Sequence, residues 1–325
     1  MTERVEDRAV DRIAERKPVA RKSVAEKAMD VTQQVVFWGL GQTTYRFDSV
    51  QKQHFSYGDH PRQQLDLYLP RRVKPRMSVV FVHGGVWKSG HKDEYAFVGQ
   101  ALAAHGIATA VVGYRLFPEV RFPAFANDIA QALGWLQDNG LSHGFDVNSG
   151  VVMIGHSAGA HLASLVTLNG EYAETFGFSP SLVKGVIGLA GIYSLRPEKD
   201  ALMGDIFQPA KQPNNYFDAN PINYLTKDGV PLYLIHGQKD QTVACRNAER
   251  MFKNALLAGH PVDIHVENRY GHVRPIMDFI PLMPSHRRFM KKITGFIEEV
   301  IDENTGDGSD GFRRATLCET SVQSS

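Results

Sequence analysis

A serine between two closely spaced glycines is the residue of this sequence best suited to act as a nucleophile. The segment 155–159, Gly-His-Ser-Ala-Gly, follows the apolar run 151–154 and precedes residues that favour a helix. A sharp turn from a strand into a helix projects such a serine above a sheet, where its hydroxyl can attack a carbonyl carbon. The same pattern also fits an ordinary glycine-rich turn with an exposed serine. Ser157 is therefore a candidate nucleophile whose partners must lie elsewhere in the chain.

Two adjacent glycines supply a second feature that this chemistry requires. Gly84 and Gly85 follow the apolar run 79–82, so they lie at the C-terminal end of a predicted strand. Glycines at this point can turn their N–H groups toward a negatively charged oxygen, and the N–H of Ala158 can add a further donor. Taken alone, the pair also fits a plain turn. Together with Ser157 it predicts an oxyanion hole formed by Gly84, Gly85 and Ala158.

An acid and a histidine complete the expected set, in the chain order serine, acid, histidine. Asp240 follows the apolar run 231–236, and His272 follows the run 262–267. Because the C-terminal ends of parallel strands meet at one edge of a sheet, both side chains are expected near Ser157. In this arrangement His272 accepts the serine proton, Asp240 orients the imidazole, and water later hydrolyses the acyl-enzyme. Glu267 remains an alternative acid, although it lies on the strand that precedes His272.

The other histidines and the cysteines indicate neither a metal site nor a cofactor. The chain has 13 histidines, but no His-x-x-x-His pattern or carboxylate cluster at helical spacing accompanies them. His83 and His156 are interpreted as structural, and His236, at the end of a strand, as buried. Two cysteines are too few for a disulfide framework or a cysteine zinc site, and they fit a reducing compartment. We therefore expect no cofactor and no metal.

The segments that position these residues alternate between strand-like and helix-like patterns. Near-continuous apolar runs rich in β-branched residues are typical of strands buried on both faces of a parallel sheet. Six such runs lie at 78–83, 107–114, 151–155, 185–190, 231–236 and 262–267. A further segment, 64–69, alternates apolar and polar residues as an edge strand with one wet face would. With helical periodicity between the runs, the sequence predicts an α/β fold whose mostly parallel sheet of about eight strands is flanked by helices.

The order of these segments favours a single α/β domain over residues 31–302. The stretch from about 192 to 230 is rich in Pro, Asn and Asp and is interpreted as a short cap insertion near the site. Residues 1–30 are highly charged and residues 303–325 are polar. Both are predicted to be flexible tails, because such segments cannot bury enough apolar surface to offset the loss of chain entropy.

Charge and hydropathy exclude some classes of partner. Lys and Arg number 36 against 35 Asp and Glu, so the net charge of +1 gives no electrostatic basis for nucleic-acid binding. No apolar run approaches the roughly 20 residues that span a bilayer. The N-terminus carries charges where a signal peptide would be apolar. We expect a cytoplasmic protein without a membrane span, and the sequence leaves a homodimer open.

Taken together, these motifs resemble those of the α/β-hydrolase superfamily over roughly residues 60–300. More narrowly, the sequence is similar to the His-Gly-Gly branch, which includes hormone-sensitive-lipase-like carboxylesterases and kynurenine formamidases. The resemblance is carried by the segments 83–90, 155–161 and 270–272 and by Tyr-Arg-Leu-Phe-Pro-Glu at 114–119. In the last of these, the resemblance implies a structural role for Arg115, paired with Asp128.

Three functions follow from the resemblance and stay open. The oxyanion loop and the order of the site residues favour a serine hydrolase that cleaves small carboxylic esters through an acyl-enzyme. The His-Gly-Gly-x-Trp segment favours an arylformamidase that hydrolyses N-formyl-kynurenine to kynurenine and formate, although Val86 differs from the tyrosine common at that position. A non-catalytic hydrolase-fold binding protein is the third, and the complete set of Ser157, Asp240 and His272 argues against it. The expected partner is a small-molecule ester or formamide substrate.

Overall fold

One eight-stranded sheet organises the computed structural model, which describes residues 49–75, 77–195, 201–207 and 216–302. The strands are β1 (Val50–Ser56), β2 (Gln64–Pro70), β3 (Ser78–Val82), β4 (Ala108–Val112), β5 (Val151–His156), β6 (Val183–Leu189), β7 (Leu232–Gly237) and β8 (Val262–Glu267). Their spatial order is β1-β2-β4-β3-β5-β6-β7-β8. The pairs β1–β2 and β2–β4 are antiparallel, whereas β4, β3, β5, β6, β7 and β8 pair in parallel. The predicted α/β class and mostly parallel sheet are confirmed.

Helices cover both faces of this sheet. They are α1 (Ala96–Ala104), α2 (Ala124–Asn139), α3 (Ala158–Leu168), α4 (Glu171–Phe176), α5 (Ala201–Ile206), α6 (Arg246–Leu257), α7 (Arg274–Met277) and α8 (His286–Asp302). Apolar side chains of α2, α3 and α6 pack in one core, and those of α1 and α8 pack in a second core on the opposite face. Successive residues of β3 alternate between the two cores, which explains why the central strands are apolar throughout.

The alternating segment 64–69 was predicted to be an edge strand, and this prediction is wrong. It forms β2, which lies inside the sheet between β1 and β4, while β1 is the edge strand. The polar residue behind the alternation, Asp66, is completely buried and accepts hydrogen bonds from Lys92 Nζ at 2.8 Å and from His54 Nδ1 at 2.7 Å. The period of two therefore reflects a buried ion pair and not a solvated face.

The stretch interpreted as a cap insertion contains α5 and two short 3₁₀ turns, Phe217–Ala219 and Pro221–Tyr224, among its described residues. Its role as a cap stays a prediction. The two predicted tails and the beginning of the predicted domain, up to residue 48, lie outside the described residues. Within the described ranges, no helix combines the length and the apolar character needed to cross a bilayer.

Candidate active site

The parallel register brings three separate loops to one edge of the sheet. The β5 strand ends beside β3, where Gly155 pairs with Val82, and the β7 strand ends beside β8, where Gly237 pairs with Glu267. A hydrogen bond joins the loops after β7 and β8, since the main-chain N–H of residue 239 donates to the carbonyl of residue 270 at 2.9 Å. The residues that follow β5, β7 and β8 are thereby held close to one another.

These loops bring together the three residues that the sequence singled out. The Oγ atom of Ser157 lies 2.9 Å from Nε2 of His272. Nδ1 of the same imidazole lies 2.8 Å from Oδ2 of Asp240. Because a carboxylate only accepts, Nδ1 carries the ring proton and Nε2 is free to accept the serine hydroxyl proton. This is the geometry that a serine nucleophile with a histidine base requires, and the catalytic role of the three residues stays a prediction.

The turn that presents Ser157 is strained and closely packed. Ser157 has φ 55° and ψ −115°, a conformation that non-glycine residues rarely adopt. Its N–H donates to the carbonyl of Leu189 on β6 at 2.9 Å, which fixes the turn against the sheet. A Cβ atom at Gly159 would collide with the carbonyl oxygen of Val82, and one at Gly155 would collide with the carbonyl of Gly159. The two glycines of the motif therefore allow α3 to start directly against β3.

The loop after β3 lies against this turn. A Cβ atom added to Gly84 would lie 3.3 Å from Cβ of Ser157 and 2.9 Å from the carbonyl oxygen of His156, so the glycine backbone is adjacent to the serine. Gly85 has φ +123°, and its carbonyl accepts from the N–H of Ser89 at 2.9 Å. The positive φ favours glycine at position 85, and the close approach of the His156 carbonyl favours glycine at position 84. The loop and the serine turn are neighbours, as the predicted oxyanion hole demands.

Hydrogen bonds orient the peptide groups expected to form this hole. Nδ1 of His83 donates to the carbonyl oxygen of Gly84 at 2.7 Å. Because the peptide bond is planar and trans, the N–H of Gly85 points away from that contact. The N–H of Ala158 is at the first turn of α3, where no acceptor within the helix is available to it. Both N–H groups are therefore suited to bind an anionic oxygen, and their role as an oxyanion hole stays a prediction.

The carboxylate of Asp240 is held at both oxygens. Oδ1 accepts from the main-chain N–H of Thr242 at 2.9 Å and of Val243 at 2.8 Å. Oδ2 accepts from His272 and also lies 3.1 Å from Nε2 of His236. Burial by itself raises the pKa of Asp240, but the charge of His272 and the hydrogen bonds from both histidines outweigh it and hold the pKa below its usual value. Asp240 is therefore ionised and faces His272 in one orientation.

Glu267, the alternative acid, is occupied elsewhere. Its Oε1 atom accepts from Nε2 of His265 and from Nη2 of Arg288, each at 2.8 Å. The oxygen that contacts Nδ1 of His272 belongs to Asp240. Geometry therefore favours Asp240 over Glu267 as the partner of the imidazole.

Three further histidines are completely or almost completely buried around the site. Each donates one ring N–H to a main-chain carbonyl: His83 Nδ1 to Gly84 at 2.7 Å, His156 Nε2 to His272 at 3.2 Å and His161 Nε2 to Ala219 at 2.7 Å. Burial lowers the pKa of His83 and of His161 to about 4 and that of His156 to about 3. All three are neutral at pH 7 and act as hydrogen-bond anchors for site loops. The sequence indicated this role for His83 and His156 but not for His161, whose acceptor is 58 residues away.

An aromatic cluster connects the loop after β3 with α5. The ring of Trp87 lies edge-on to that of Phe207, with centroids 4.8 Å apart, and edge-on to that of His161 at 5.0 Å. Phe207 directly follows α5, and the main-chain N–H of Phe122 donates to the carbonyl of Ile206 at 2.9 Å. All of these rings are buried. The segment from 192 to 230 therefore contacts the site through Phe207.

Arg115 and Asp128 pair as the resemblance implied. Nη2 of Arg115 lies 2.6 Å from Oδ1 of Asp128, and Nε lies 2.9 Å from Oδ2. Asp128 is completely buried on α2 and also accepts from Nε2 of Gln63 at 2.9 Å. The pair fixes the segment after β4 to α2. Among the described residues, no group of three or more His, Cys, Asp or Glu side chains could hold a metal ion.

Comparison with known proteins identifies similar sequences among hydrolases. Isoprenylcysteine alpha-carbonyl methylesterase ICME of Arabidopsis thaliana is 31% identical over 236 residues, which cover 66% of this chain and 54% of that protein. Kynurenine formamidase of Danio rerio is 33% identical over 142 residues, which cover 43% of this chain and 46% of that protein. The chain thus spans about half the length of these curated relatives.

Solved structures share this fold. Esterase B of Lactobacillus rhamnosis superposes with a TM-score of 0.72 at 23% identity, covering 86% of this chain and 96% of that one. At this identity, the likeness concerns the fold alone. The sequence model of the BD-FAE family matches residues 65–256, which is more than half of the chain. The chain therefore belongs to the BD-FAE family and has the α/β-hydrolase fold that its residue pattern predicted.

Proposed function

We propose that this chain is a serine hydrolase that cleaves small carboxylic esters through an acyl-enzyme intermediate. The observation that carries the proposal is the continuous set of contacts from Ser157 Oγ to His272 Nε2 at 2.9 Å and from His272 Nδ1 to Asp240 Oδ2 at 2.8 Å. Membership of the BD-FAE family and the methylesterase among the relatives support an ester as the substrate. Ser157 is the nucleophile, His272 the base and Asp240 the acid that orients it.

In the first half of the reaction, Oγ of Ser157 attacks the ester carbonyl carbon while Nε2 of His272 accepts the hydroxyl proton. The carbonyl oxygen becomes negative and is bound by the N–H groups of Gly84, Gly85 and Ala158. The tetrahedral intermediate collapses by breaking the bond to the alkoxy oxygen. His272 returns its proton to that oxygen, so the alcohol leaves and the acyl group stays on Ser157.

In the second half, water takes the place of the alcohol. Nε2 of His272 accepts a water proton as the water oxygen attacks the acyl carbon, and the same N–H groups bind the oxyanion again. Breaking the bond to Ser157 Oγ releases the carboxylic acid, and His272 returns the proton to the serine. Asp240, held by four donors, stabilises the imidazolium in both halves.

The test combines a covalent probe with kinetics on chromogenic esters. The purified chain should hydrolyse nitrophenyl acetate and nitrophenyl butyrate, and a fluorophosphonate should label Ser157, because only an activated serine reacts readily. Ser157→Ala should abolish both activities, whereas Ser142→Ala, which changes an exposed serine whose hydroxyl binds a nearby carbonyl, should retain both. Hydrolysis that survives Ser157→Ala contradicts the mechanism. A folded chain that is neither labelled nor active favours a non-catalytic binding protein instead.

Arylformamide hydrolysis is the second candidate function. It is supported by the 33% identity to a kynurenine formamidase over 142 residues and by the His-Gly-Gly-x-Trp segment. The same residues would attack the formyl carbon of N-formyl-kynurenine and release an aniline-type amine in place of an alcohol. Parallel measurements of kcat/KM decide between the two, since a formamide value well below the ester value rejects the formamidase.

The cytoplasmic location expected from the composition remains part of this proposal. It is supported by the low cysteine content of the chain, which has only Cys245 and Cys318. Fractionation of the source cells tests the location, and recovery of the chain outside the cytoplasm contradicts it. Sedimentation of the purified chain decides whether the homodimer left open by the sequence forms.

A further inference from the structure

A second histidine shares the carboxylate oxygen that faces His272. His236 ends β7, and its Nε2 atom lies 3.1 Å from Oδ2 of Asp240 and 2.9 Å from the carbonyl oxygen of Val243. Both neighbours are acceptors, so Nε2 must carry a proton and donate to them. The side chain is 1% exposed, and this shared hydrogen bond is therefore shielded from water.

The opposite ring nitrogen of His236 lies in a different environment. Nδ1 is buried and has no hydrogen-bond partner within the described part of the chain. A proton on Nδ1 would be a buried donor without an acceptor. His236 therefore interacts with Asp240 through the proton on Nε2.

We propose that His236 is a positioning residue that fixes Oδ2 of Asp240 opposite His272 and restrains how strongly this carboxylate holds the proton of His272. The inference rests on the proposed hydrolase function. With His236, the carboxylate receives four donors, two on each oxygen, and has no free rotation left. The donor on Oδ2 also disperses negative charge that would otherwise act on the His272 imidazolium alone.

A further titratable neighbour of this set among the described residues is His156. Its ring lies 5.1 Å from that of His272, and its Nε2 donates to the carbonyl of His272 at 3.2 Å. Burial lowers the pKa of His156 to about 3, so it stays neutral over the range in which an ester hydrolase is assayed. Changes in the pH profile between pH 5 and 9 therefore do not report on His156.

The test compares two substitutions of nearly equal length. His236→Gln retains an N–H donor at the distance of Nε2, and His236→Met has none. We expect His236→Met to lower kcat for nitrophenyl acetate about tenfold with little change in KM, which corresponds to about 1.4 kcal/mol. We also expect the acidic limb of its kcat/KM profile to move to higher pH, because a less hydrogen-bonded carboxylate holds the imidazolium more strongly. His236→Gln should restore both kcat and the position of the limb.

A matched pair of controls separates this role from a general loss of packing. His260 is also buried, and its Nε2 donates to the carbonyl of Val230 at 2.9 Å. It lies just before the N-terminal end of β8, whereas His236 lies near the C-terminal end of β7. His260→Met and His260→Gln should lower the melting temperature without moving the pH profile. If His236→Met does not fold, His236→Asn, whose amide is too short to reach Asp240, takes its place with the same expectation.

The outcomes distinguish this inference from the proposed function. A wild-type chain that is unlabelled by fluorophosphonate and inactive overturns the hydrolase itself. An active wild type together with a folded His236→Met variant of unchanged kcat and unchanged acidic limb overturns the positioning role alone. The role is also overturned if His236→Gln is as slow as His236→Met, since donation to Asp240 would then be irrelevant.

Discussion

Replacing Asp240 with asparagine exchanges one side-chain oxygen for an NH2 group and leaves the size of the residue unchanged. Oδ1 accepts from the main-chain N–H groups of Thr242 and Val243, which can only donate. The new amide oxygen must therefore stay on that side. The NH2 group then faces the ring nitrogens of His272 and His236, both of which donate to the carboxylate in the wild type.

This exchange reverses the tautomer of His272. An NH2 group opposite Nδ1 requires an unprotonated Nδ1, so the ring proton moves to Nε2. Nε2 lies 2.9 Å from Oγ of Ser157, and in the new tautomer it donates to the serine and cannot accept its proton. In a serine triad, this change lowers kcat about 10⁴-fold, which is about 5 kcal/mol of transition-state stabilisation.

The assay is steady-state hydrolysis of nitrophenyl acetate at pH 7.5, with the rate of fluorophosphonate labelling measured in parallel. Both rates should fall together in Asp240→Asn, because both need the same deprotonation of Ser157. The matched control is Asp228→Asn, which makes the same chemical change at an exposed residue and should keep the wild-type rates. A folded Asp240→Asn variant that loses less than tenfold of kcat would refute the assignment of Asp240.

Three further outcomes follow from the contacts. Gly84→Ala places a Cβ 2.9 Å from the carbonyl oxygen of His156. The resulting shift of the loop after β3 should lower kcat about 10²-fold and should also lower the melting temperature. Arg115→Met leaves the buried carboxylate of Asp128 without its ion-pair partner and should cost about 2–3 kcal/mol in urea unfolding, with the remaining Gln63 and main-chain donors limiting the loss. Burial lowers the pKa of His161 from 6.5 to about 4, so between pH 4 and pH 6.5 the unfolded chain binds more protons than the folded chain. Folding stability should therefore fall as the pH decreases from about 6.5 toward 4. His161→Gln should flatten this part of the plot of melting temperature against pH.

Sequence patterns predicted the fold class and the three residues that converge at the sheet edge, for a physical reason. Parallel strands with helical connections must end at the same edge, so the residues after β5, β7 and β8 become neighbours whatever the details of packing. The interior position of β2 could not be predicted, because Asp66 resembles an exposed residue until its partner Lys92 is known. The hydrogen bond from His236 to Asp240 could not be predicted for a similar reason. The burial of His236 follows from its position at the end of an apolar strand, but the orientation of its ring depends on the turn between β7 and α6. The only sequence signal was the spacing of four residues between them.

The edge-on contact between Trp87 and Phe207 links the loop after β3 with the residue that follows α5. Trp87 belongs to the same loop as Gly84 and Gly85, and at φ 55° its backbone has little freedom to absorb a shift of its ring. A bulky acyl group that displaces Phe207 would therefore also shift the N–H groups of Gly84 and Gly85, which we propose as oxyanion donors. Discrimination against oversized esters should then appear as slow turnover of bound substrate and not as weak binding.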